Sequence, residues 1–216
     1  MTYKAIFFDL DGVIFDSYDL WDQAVSQLLA DYGVSYSEEI KQTLWQLPMT
    51  EANGYLLGLI DEFVDEGGFE KQKRSYLKKR YQTVPLIKGA QTVLAELNQQ
   101  GFQLYAVTAN YADLARAGLE AHELLANFVT VYSSLESESG DKDFEFYRQV
   151  LDHEKLGAQD VLMVEDSLPN LQIAQKLGIQ GLYFENDIFP RNNKAFPFIS
   201  IESLLQLRQY LEVKND

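Results

Sequence analysis

The chain has 216 residues, and its 18 lysine and arginine residues against 33 aspartate and glutamate residues give a formal net charge of −15 at pH 7. Hydrophobic residues make up 46% of the chain, which is enough for a sizeable core and excludes a disordered protein, while the absence of cysteine excludes disulfides, thiolate zinc sites and cysteine nucleophiles. The excess of acid disfavours nucleic acid as a partner, because such a chain repels phosphate polymers.

The first predicted element is a strand over residues 5–8, a continuous apolar run that ends at Asp9. Such a run is typical of a strand buried on both faces of a parallel sheet. It does not resemble a signal peptide, and no part of the chain approaches the roughly 20 apolar residues of a membrane span. We therefore expect a soluble, cytoplasmic protein that does not enter a membrane.

Residues 17–83 carry helical patterns and no strand pattern. Four helices are predicted, over residues 17–33, 37–47, 50–67 and 69–81. Ser17 is the predicted N-cap of the first helix, and Gly67-Gly68 is predicted to end the third. Because the length suits one domain that carries a smaller insert, we predict an all-helical insert over residues 16–83 and an α/β core over residues 1–15 and 84–216.

The rest of the chain alternates helical patterns with apolar runs. Helices are predicted over residues 90–100 and 171–177, each closed by a glycine, and further strands over residues 104–107, 128–132, 161–164 and 181–184. This alternation is typical of βαβ units. The predicted fold class is therefore α/β, a Rossmann-like parallel sheet with helices on both faces.

Polar side chains follow three of the predicted strands, at the edge where open parallel sheets bind their ligands. The three segments are Asp9-Leu10-Asp11-Gly12-Val13, Thr108-Ala109-Asn110 and Glu165-Asp166-Ser167. Each segment alone is a common turn or helix cap, but together they direct four carboxylates towards one point. Such a cluster is costly unless a cation neutralises it or the acids retain protons, and ligands that are all oxygen favour Mg²⁺.

In these motifs the sequence resembles the haloacid dehalogenase-like (HAD) superfamily, specifically the phosphatase-type members with a helical cap domain (phosphoglycolate phosphatases and β-phosphoglucomutase-like enzymes). The matches are Asp9 to Val13 for the first motif of the family, Thr108 for the second, Lys142 for the third, and Glu165 to Ser167 for the fourth. The helical insert lies where the family places its cap. The resemblance covers essentially the whole chain.

The resemblance implies a role for each matching residue. Asp9 would be the nucleophile that forms an aspartyl-phosphate, and Asp11 would act as general acid and then as base. Lys142 would offset the charge of the nucleophile and of the transferring phosphate. The implied phosphate-binding residues are Thr108, Ala109, Asn110 and Lys142, and the implied Mg²⁺ ligands are Asp9, Asp11 through its carbonyl, Asp166, and Glu165 either directly or through waters.

The implied function is a Mg²⁺-dependent phosphatase of a small phosphorylated metabolite such as a sugar phosphate, phosphoglycolate or a nucleotide. The acid at position 11 favours a phosphate ester as the substrate, because dehalogenase and phosphonatase relatives lack an acid at the matching position. A β-phosphoglucomutase-like phosphosugar mutase is an alternative, weakened by the absence of arginine between Lys41 and Arg74. A catalytically silent binding or regulatory protein with the same fold is another. The sequence carries no signal for or against self-association.

The third motif is the least regular of the four, because Lys142 is followed by Asp143 where many capped relatives have proline. Lys155 is the alternative lysine, but it has no motif context. His122 and His153 show no metal-ligand spacing and are interpreted as structural or surface residues.

Two parts of the insert are candidates for substrate selection. Pro48, Met49 and Thr50 fall where capped relatives place a substrate-selecting loop. Residues 71–80 hold six of the 18 positive charges, and they form either a solvated helix balanced by the acids at 61–66 or a surface that guides an anionic substrate. Trp21 and Trp45 are interpreted as packing residues rather than as stacking residues for a ligand.

Overall fold

The fold is a single parallel sheet flanked by helices, seen in a computed structural model that describes residues 3–47, 49–61, 63–186 and 197–215. The strands are β1 (Ala5–Phe8), β2 (Gln103–Thr108), β3 (Thr130–Ser133), β4 (Val161–Glu165), β5 (Gln180–Phe184) and β6 (Ile199–Ile201). Their order is β3-β2-β1-β4-β5-β6, and every neighbouring pair is parallel. The predicted Rossmann-like α/β class is confirmed.

The described residues also form nine α-helices. They are α1 (Tyr18–Ala30), α2 (Glu38–Leu44), α3 (Met49–Leu57), α4 (Glu66–Tyr81), α5 (Ala90–Gln99), α6 (Ala112–Ala121), α7 (Phe144–Glu154), α8 (Leu168–Leu177) and α9 (Gln206–Asn215). In the part of the chain that is described, none of these helices combines the length and apolarity that crossing a membrane requires.

Strand β1 shows why the predicted strands are apolar throughout. Its alternate residues Ile6 and Phe8 belong to one buried cluster, with side chains of α5, α6 and α9, whereas Ala5 and Phe7 belong to a second cluster, with side chains of α7 and α8. All four residues are fully buried. Both faces of the sheet are therefore covered, and no strand position of β1 can be polar before the strand ends.

Between residues 18 and 81, the described part of the chain forms the four helices α1 to α4 and no strand, as the sequence predicts. Their own apolar cluster consists of Val25, Leu28, Leu29, Ile40, Leu56, Ile60 and Phe69. The boundaries of an insert at residues 16 and 83 stay a prediction, because α4 also contributes Leu77 and Tyr81 to the main core.

The limits of α3 and α4 differ from the prediction. Helix α3 ends at Leu57 rather than near residue 67, and Phe63, which the predicted helix includes, is 98% exposed. Gly67-Gly68 does not end a helix but lies in the first turn of α4, because the Asp65 carboxylate accepts the Gly68 N–H at 2.7 Å and caps the helix.

The two edge strands, β3 and β6, also differ from the prediction. Strand β3 begins at Thr130, two residues later than predicted, because residues 125–127 form a 3₁₀ turn and the next residues lead out of it. Strand β6 has three residues and was not predicted, since so short a segment carries no periodic pattern.

We expect Phe69→Ala to lower the free energy of unfolding by about 3–5 kcal/mol, because Phe69 is fully buried and packs at 5.8 Å between ring centroids on Tyr32. Phe63→Ala is the matched control, and we expect it to change the free energy by less than about 0.5 kcal/mol because that ring is in solvent. Urea unfolding of both variants measures the difference. Equal losses for the two variants would contradict the packing described for α4.

Candidate active site

The candidate site lies at the carboxyl edge of the sheet, where β1, β2 and β4 end side by side. Phe8 pairs with Ala106 of β2 and with Val164 of β4, so the residue after β1, Asp9, lies between the ends of its two neighbours. The Asp9 N–H donates to the Val164 carbonyl at 3.0 Å. The side chains gathered here are Asp9, Thr108, Asn110, Lys142, Glu165 and Asp166, all buried.

Lys142 lies between two of the carboxylates. Its Nζ atom is 2.7 Å from Asp9 Oδ1 and 2.9 Å from Glu165 Oε2, and its side chain is 2% exposed. Burial lowers the pKa of Lys142, but the charges of Asp9 and Glu165 outweigh burial and raise that pKa well above its usual range. The lysine is therefore a fixed cation. Lys155, the alternative, is an exposed residue at the end of α7 and plays no part here.

The acids outnumber this cation. Oxygen atoms of Asp9, Glu165 and Asp166 all lie within 4.8 Å of one another, so when all three acids are ionised their charges and the one positive charge of Lys142 sum to −2. Burial and then the charge of Glu165 raise the pKa of Asp9. Burial and then the charge of Asp9 raise the pKa of Asp166 to about 7. A divalent cation would remove this excess charge, and an all-oxygen ligand set suits Mg²⁺.

The surroundings of Glu165 and Asp166 distinguish the two acids. Glu165 is fully buried, and its Oε1 accepts the N–H groups of Asp166 at 3.1 Å and Ser167 at 3.0 Å. Asp166 Oδ2 accepts from the hydroxyl of Tyr18 and from Asn186 Nδ2 at 2.6 Å. Glu165 is thus engaged by the backbone and by Lys142, whereas Asp166 meets only neutral side-chain donors among the hydrogen bonds of the described residues.

Asp11 stands apart from the buried acids. It is half-buried, and its carboxylate accepts from Ser17 Oγ at 2.6 Å, from the Tyr81 hydroxyl, and from Asn110 Nδ2 at 3.0 Å. Ser17 lies at the N-cap position of α1, as predicted, but its side chain makes no cap hydrogen bond because its hydroxyl donates to Asp11. Three donors hold the Asp11 carboxylate at the edge of the site.

The segment after β2 is fixed by its own hydrogen bonds. Thr108 Oγ1 accepts the Asn110 N–H at 3.0 Å, and Ser133 Oγ donates to the Asn110 carbonyl at 2.6 Å. Because Thr108 Oγ1 accepts this bond, its own O–H hydrogen stays available to donate to a bound anion. Thr108, Ala109 and Asn110 all border the same cavity as Asp9 and Asp11.

This cavity has a volume of about 200 Å³. Asp9, Asp11 and residues 108–110 border one side of it, and side chains from residues 17–56 border much of the rest. Trp21 and Trp45, interpreted from the sequence as packing residues, are half-buried and both face it. Lys73 borders it too, but the other cations at 71–80 do not.

The predicted substrate-selecting residues are only partly visible. Pro48 lies outside the described residues, and the side chain of Met49 is not described. Thr50 is exposed, its hydroxyl donates to Asp141 Oδ2 at 3.2 Å, and it does not border the cavity of Asp9. The interpretation of His122 as structural is consistent with its Nε2 lying 2.6 Å from the Val84 carbonyl.

Sequence reasoning missed Ser17, Tyr18, Tyr81 and Asn186 as partners of the site. Tyr18 and Tyr81 stand at the two ends of the helical region, and a tyrosine there cannot be distinguished by pattern from a packing residue. The available signal is their place directly beside the predicted junctions with the core, where a side chain can reach the first motif.

Comparisons with known proteins agree on one family. A model of haloacid dehalogenase-like hydrolases matches residues 6–183. A phosphorylated carbohydrates phosphatase from Thermotoga maritima is 24% identical over 183 residues, which cover 83% of this chain and 84% of that protein. The pyrimidine 5′-nucleotidase PynA from Streptococcus pneumoniae is 26% identical, over 98% of this chain and 96% of its own.

The solved structures show the same fold. The HAD hydrolase YfnB from Bacillus subtilis, solved bound to magnesium, is similar with a TM-score of 0.78 and 23% sequence identity. The match covers 98% of this chain and 99% of that one. At this level of identity the likeness establishes the architecture alone.

Gly12 provides a test of the acidic cluster. A Cβ atom at Gly12 would lie 2.2 Å from Asp166 Oδ2 and 2.6 Å from the Tyr18 hydroxyl oxygen. We expect Gly12→Ala to weaken Mg²⁺ binding at least tenfold in calorimetric titration, because it displaces Asp166.

Gly101→Ala is the control for the backbone. Gly101 has a φ of +89°, close to the +81° of Gly12, but nothing lies within 4 Å of the added Cβ. Both variants strain a left-handed residue by roughly 1 kcal/mol, so only the displacement of Asp166 separates them. Unchanged Mg²⁺ binding in both variants would show that Asp166 is not a ligand.

Proposed function

The chain belongs to the haloacid dehalogenase-like hydrolases, and we propose that it is a Mg²⁺-dependent phosphatase that hydrolyses a small phosphorylated metabolite through an aspartyl-phosphate. One observation carries this proposal: Asp9, a buried acid paired with Lys142 at 2.7 Å, borders a cavity together with a second acid, Asp11, and the Thr108 hydroxyl. The residues proposed as nucleophile, proton donor and anion-binding donor thus border one cavity.

In the first half of the proposed reaction, an oxygen of Asp9 attacks the phosphorus atom and the bond between phosphorus and the ester oxygen breaks. Asp11 gives its proton to the departing oxygen. Lys142 holds the orientation of Asp9 and offsets negative charge on the transferring phosphoryl group, to which the Thr108 hydroxyl donates a hydrogen bond.

In the second half, Asp11 accepts a proton from a water molecule that attacks the phosphorus atom of the aspartyl-phosphate. The bond between Asp9 and phosphorus breaks, which releases inorganic phosphate and restores the Asp9 carboxylate. Both proton transfers use the same carboxyl group, so its placement by Ser17, Tyr81 and Asn110 matters for both halves.

The proposed Mg²⁺ ligands are the carboxylates of Asp9 and Asp166 and the backbone carbonyl of Asp11. Glu165 supports them indirectly, because both of its oxygens are already engaged by Lys142 and by backbone N–H groups. When bound, the ion supplies positive charge against which the phosphate and the carboxylates can approach one another.

The side chains that border the cavity favour hydrolysis over the mutase alternative. Of the described residues that border the cavity, Lys73 is the one cationic side chain, and its Nζ donates to Asn53 Oδ1 at 2.5 Å and pairs with Glu70 at 3.0 Å. A bisphosphate substrate needs a cation for its second, unreacting phosphate. The retention of all four motifs also disfavours a silent protein of this fold.

A phosphate-release screen over phosphorylated metabolites tests the proposed function. We expect release with Mg²⁺, none with chelator, and a loss on the order of 10³-fold or more in Asp9→Asn, which removes the nucleophile. Activity that survives in Asp9→Asn would contradict the assignment of the nucleophile. If no compound in the screen released phosphate, the proposed phosphatase function would be wrong.

Tyr81→Phe tests the placement of Asp11. The Tyr81 hydroxyl donates to Asp11 Oδ1 and accepts from Trp21 Nε1 at 2.8 Å, while its ring packs edge-on to Phe15. We expect kcat to fall about 10-fold to 100-fold with KM changed less than about twofold, because the acid is misplaced but the cavity is kept.

Tyr105→Phe is the matched control for Tyr81→Phe. Tyr105 is also buried, but its hydroxyl donates to Glu154 at 2.9 Å on the far face of the sheet, so kcat should stay unchanged. Equal effects of the two substitutions on kcat, or a change confined to KM in Tyr81→Phe, would contradict a positioning role.

A further inference from the structure

The cavity above Asp9 has an aromatic wall that the proposed chemistry does not require. Its rings belong to Tyr18, Trp21, Tyr36 and Trp45, all half-buried. The rings of Tyr18 and Trp45 meet edge to face, with centroids 6.1 Å apart, and the ammonium group of Lys41 lies 4.5 Å from the centre of the Trp45 ring. Trp45 is thus held from two sides and still faces the cavity.

Aliphatic side chains complete this wall: Val25, Leu44, Leu47, Ala52 and Leu56. Carbon atoms make up most of this surface, so the hydroxyl groups of a sugar that lay against it would lose water and gain few hydrogen-bond partners. It suits a flat ring instead, because aromatic faces stack and exclude water. The part of the substrate that leaves with the ester oxygen therefore has an apolar, planar portion.

The charged groups on the wall narrow the class further. Asp22 borders the cavity and is held by Lys41 Nζ at 2.5 Å and by the Tyr36 hydroxyl at 2.8 Å. Because Lys41 pairs with Asp22, this part of the wall offers no net positive charge to a second phosphate or a carboxylate, whereas the Asp22 carboxylate can still accept a hydrogen bond from an N–H or O–H group. Lys73 does not supply that positive charge either, because Glu70 and Asn53 already engage it.

We propose that this aromatic wall, formed by Tyr18, Trp21, Tyr36 and Trp45, binds the base of a nucleoside 5′-monophosphate while Asp9 attacks the phosphate. The base lies against Trp45 and Tyr36, and a base N–H or a ribose hydroxyl donates to Asp22. A nucleoside monophosphate combines the features that the cavity selects: one phosphate, one planar ring and donors at the ring edge. This assignment rests on the phosphatase proposed above and names its substrate class.

Cytidine 5′-monophosphate and ribose 5-phosphate form a matched pair of substrates, because they carry the same phosphate position and differ by the base. We expect kcat/KM with Mg²⁺ to be at least about tenfold higher for the nucleotide, because the stacking of one base on an aromatic side chain typically strengthens binding by about that factor. Ribose 5-phosphate hydrolysed equally well or better would overturn the proposal. Adenosine 5′-monophosphate and pyridoxal 5′-phosphate complete the panel, and a preference for pyridoxal 5′-phosphate over both nucleotides would also overturn it.

Substitution of Trp45 locates the effect. We expect Trp45→Leu to lower kcat/KM for cytidine 5′-monophosphate about tenfold and to leave ribose 5-phosphate within about twofold, because the core chemistry is untouched. Trp45→Phe, which keeps a ring, should lose less and serves if the leucine variant does not fold. Equal losses on both substrates in a folded variant would contradict base binding at this wall.

Phe63→Leu is the control for these measurements, because Phe63 is an aromatic residue of the same helical region that is 98% exposed. Phe63→Leu should leave kcat/KM unchanged for both cytidine 5′-monophosphate and ribose 5-phosphate. The two proposals fail in different ways. If neither the four compounds nor para-nitrophenyl phosphate release phosphate in a Mg²⁺-dependent reaction, the proposed phosphatase function is wrong. If phosphate is released without a preference for substrates that carry a base, the phosphatase function stands and the assignment of a nucleotide substrate is wrong.

Discussion

The structure depends on an electrostatic imbalance that the parallel sheet creates. Strands β1 and β4 lie next to each other, so Asp9 at the end of one meets Glu165 and Asp166 at the end of the other. Lys142 is buried between Asp9 and Glu165, and one lysine cannot balance three acids in a buried site. The remaining charge suits the site to a divalent cation. Under the proposed function, that cation would also let an acidic protein accept an anionic phosphate ester.

The helical region and the sheet are coupled through the same site. Tyr18 at the start of α1 donates to Asp166, and Tyr81 at the end of α4 donates to Asp11, so both ends of this region touch a proposed reacting or metal-binding acid. The aromatic wall of the cavity comes from the first part of this region, residues 18–45. Under the proposed function, substrate selection and the placement of the acid would therefore depend on the same helical region.

The sheet and its motifs could be predicted because local sequence determines them. The run at residues 5–8 is apolar at every position because both faces of β1 are covered, and the polar segments start where that cover ends. Tyr81 could not be predicted, since its bond to Asp11 joins residues 70 positions apart and only the folded chain brings them together. The prediction that Gly67-Gly68 ends a helix was wrong, because the Asp65 side chain accepts the Gly68 N–H and caps a helix that begins there. Ser17 lies at the start of α1 as predicted, but the loss of its cap bond could not be predicted, because Asp11 accepts its hydroxyl hydrogen only in the folded chain.

Formation of a phosphoryl group on Asp9 is the most direct test of the central claim that this charge arrangement supports phosphoryl transfer. The protein is mixed with a phosphate ester that it hydrolyses, quenched with acid within the first turnover, and digested for mass spectrometry, once with Mg²⁺ and once with chelator. One phosphoryl group on the peptide that contains Asp9, present only with Mg²⁺, is the predicted result. Hydrolysis that proceeds with no phosphoryl group on Asp9, or with one on another residue, would contradict it.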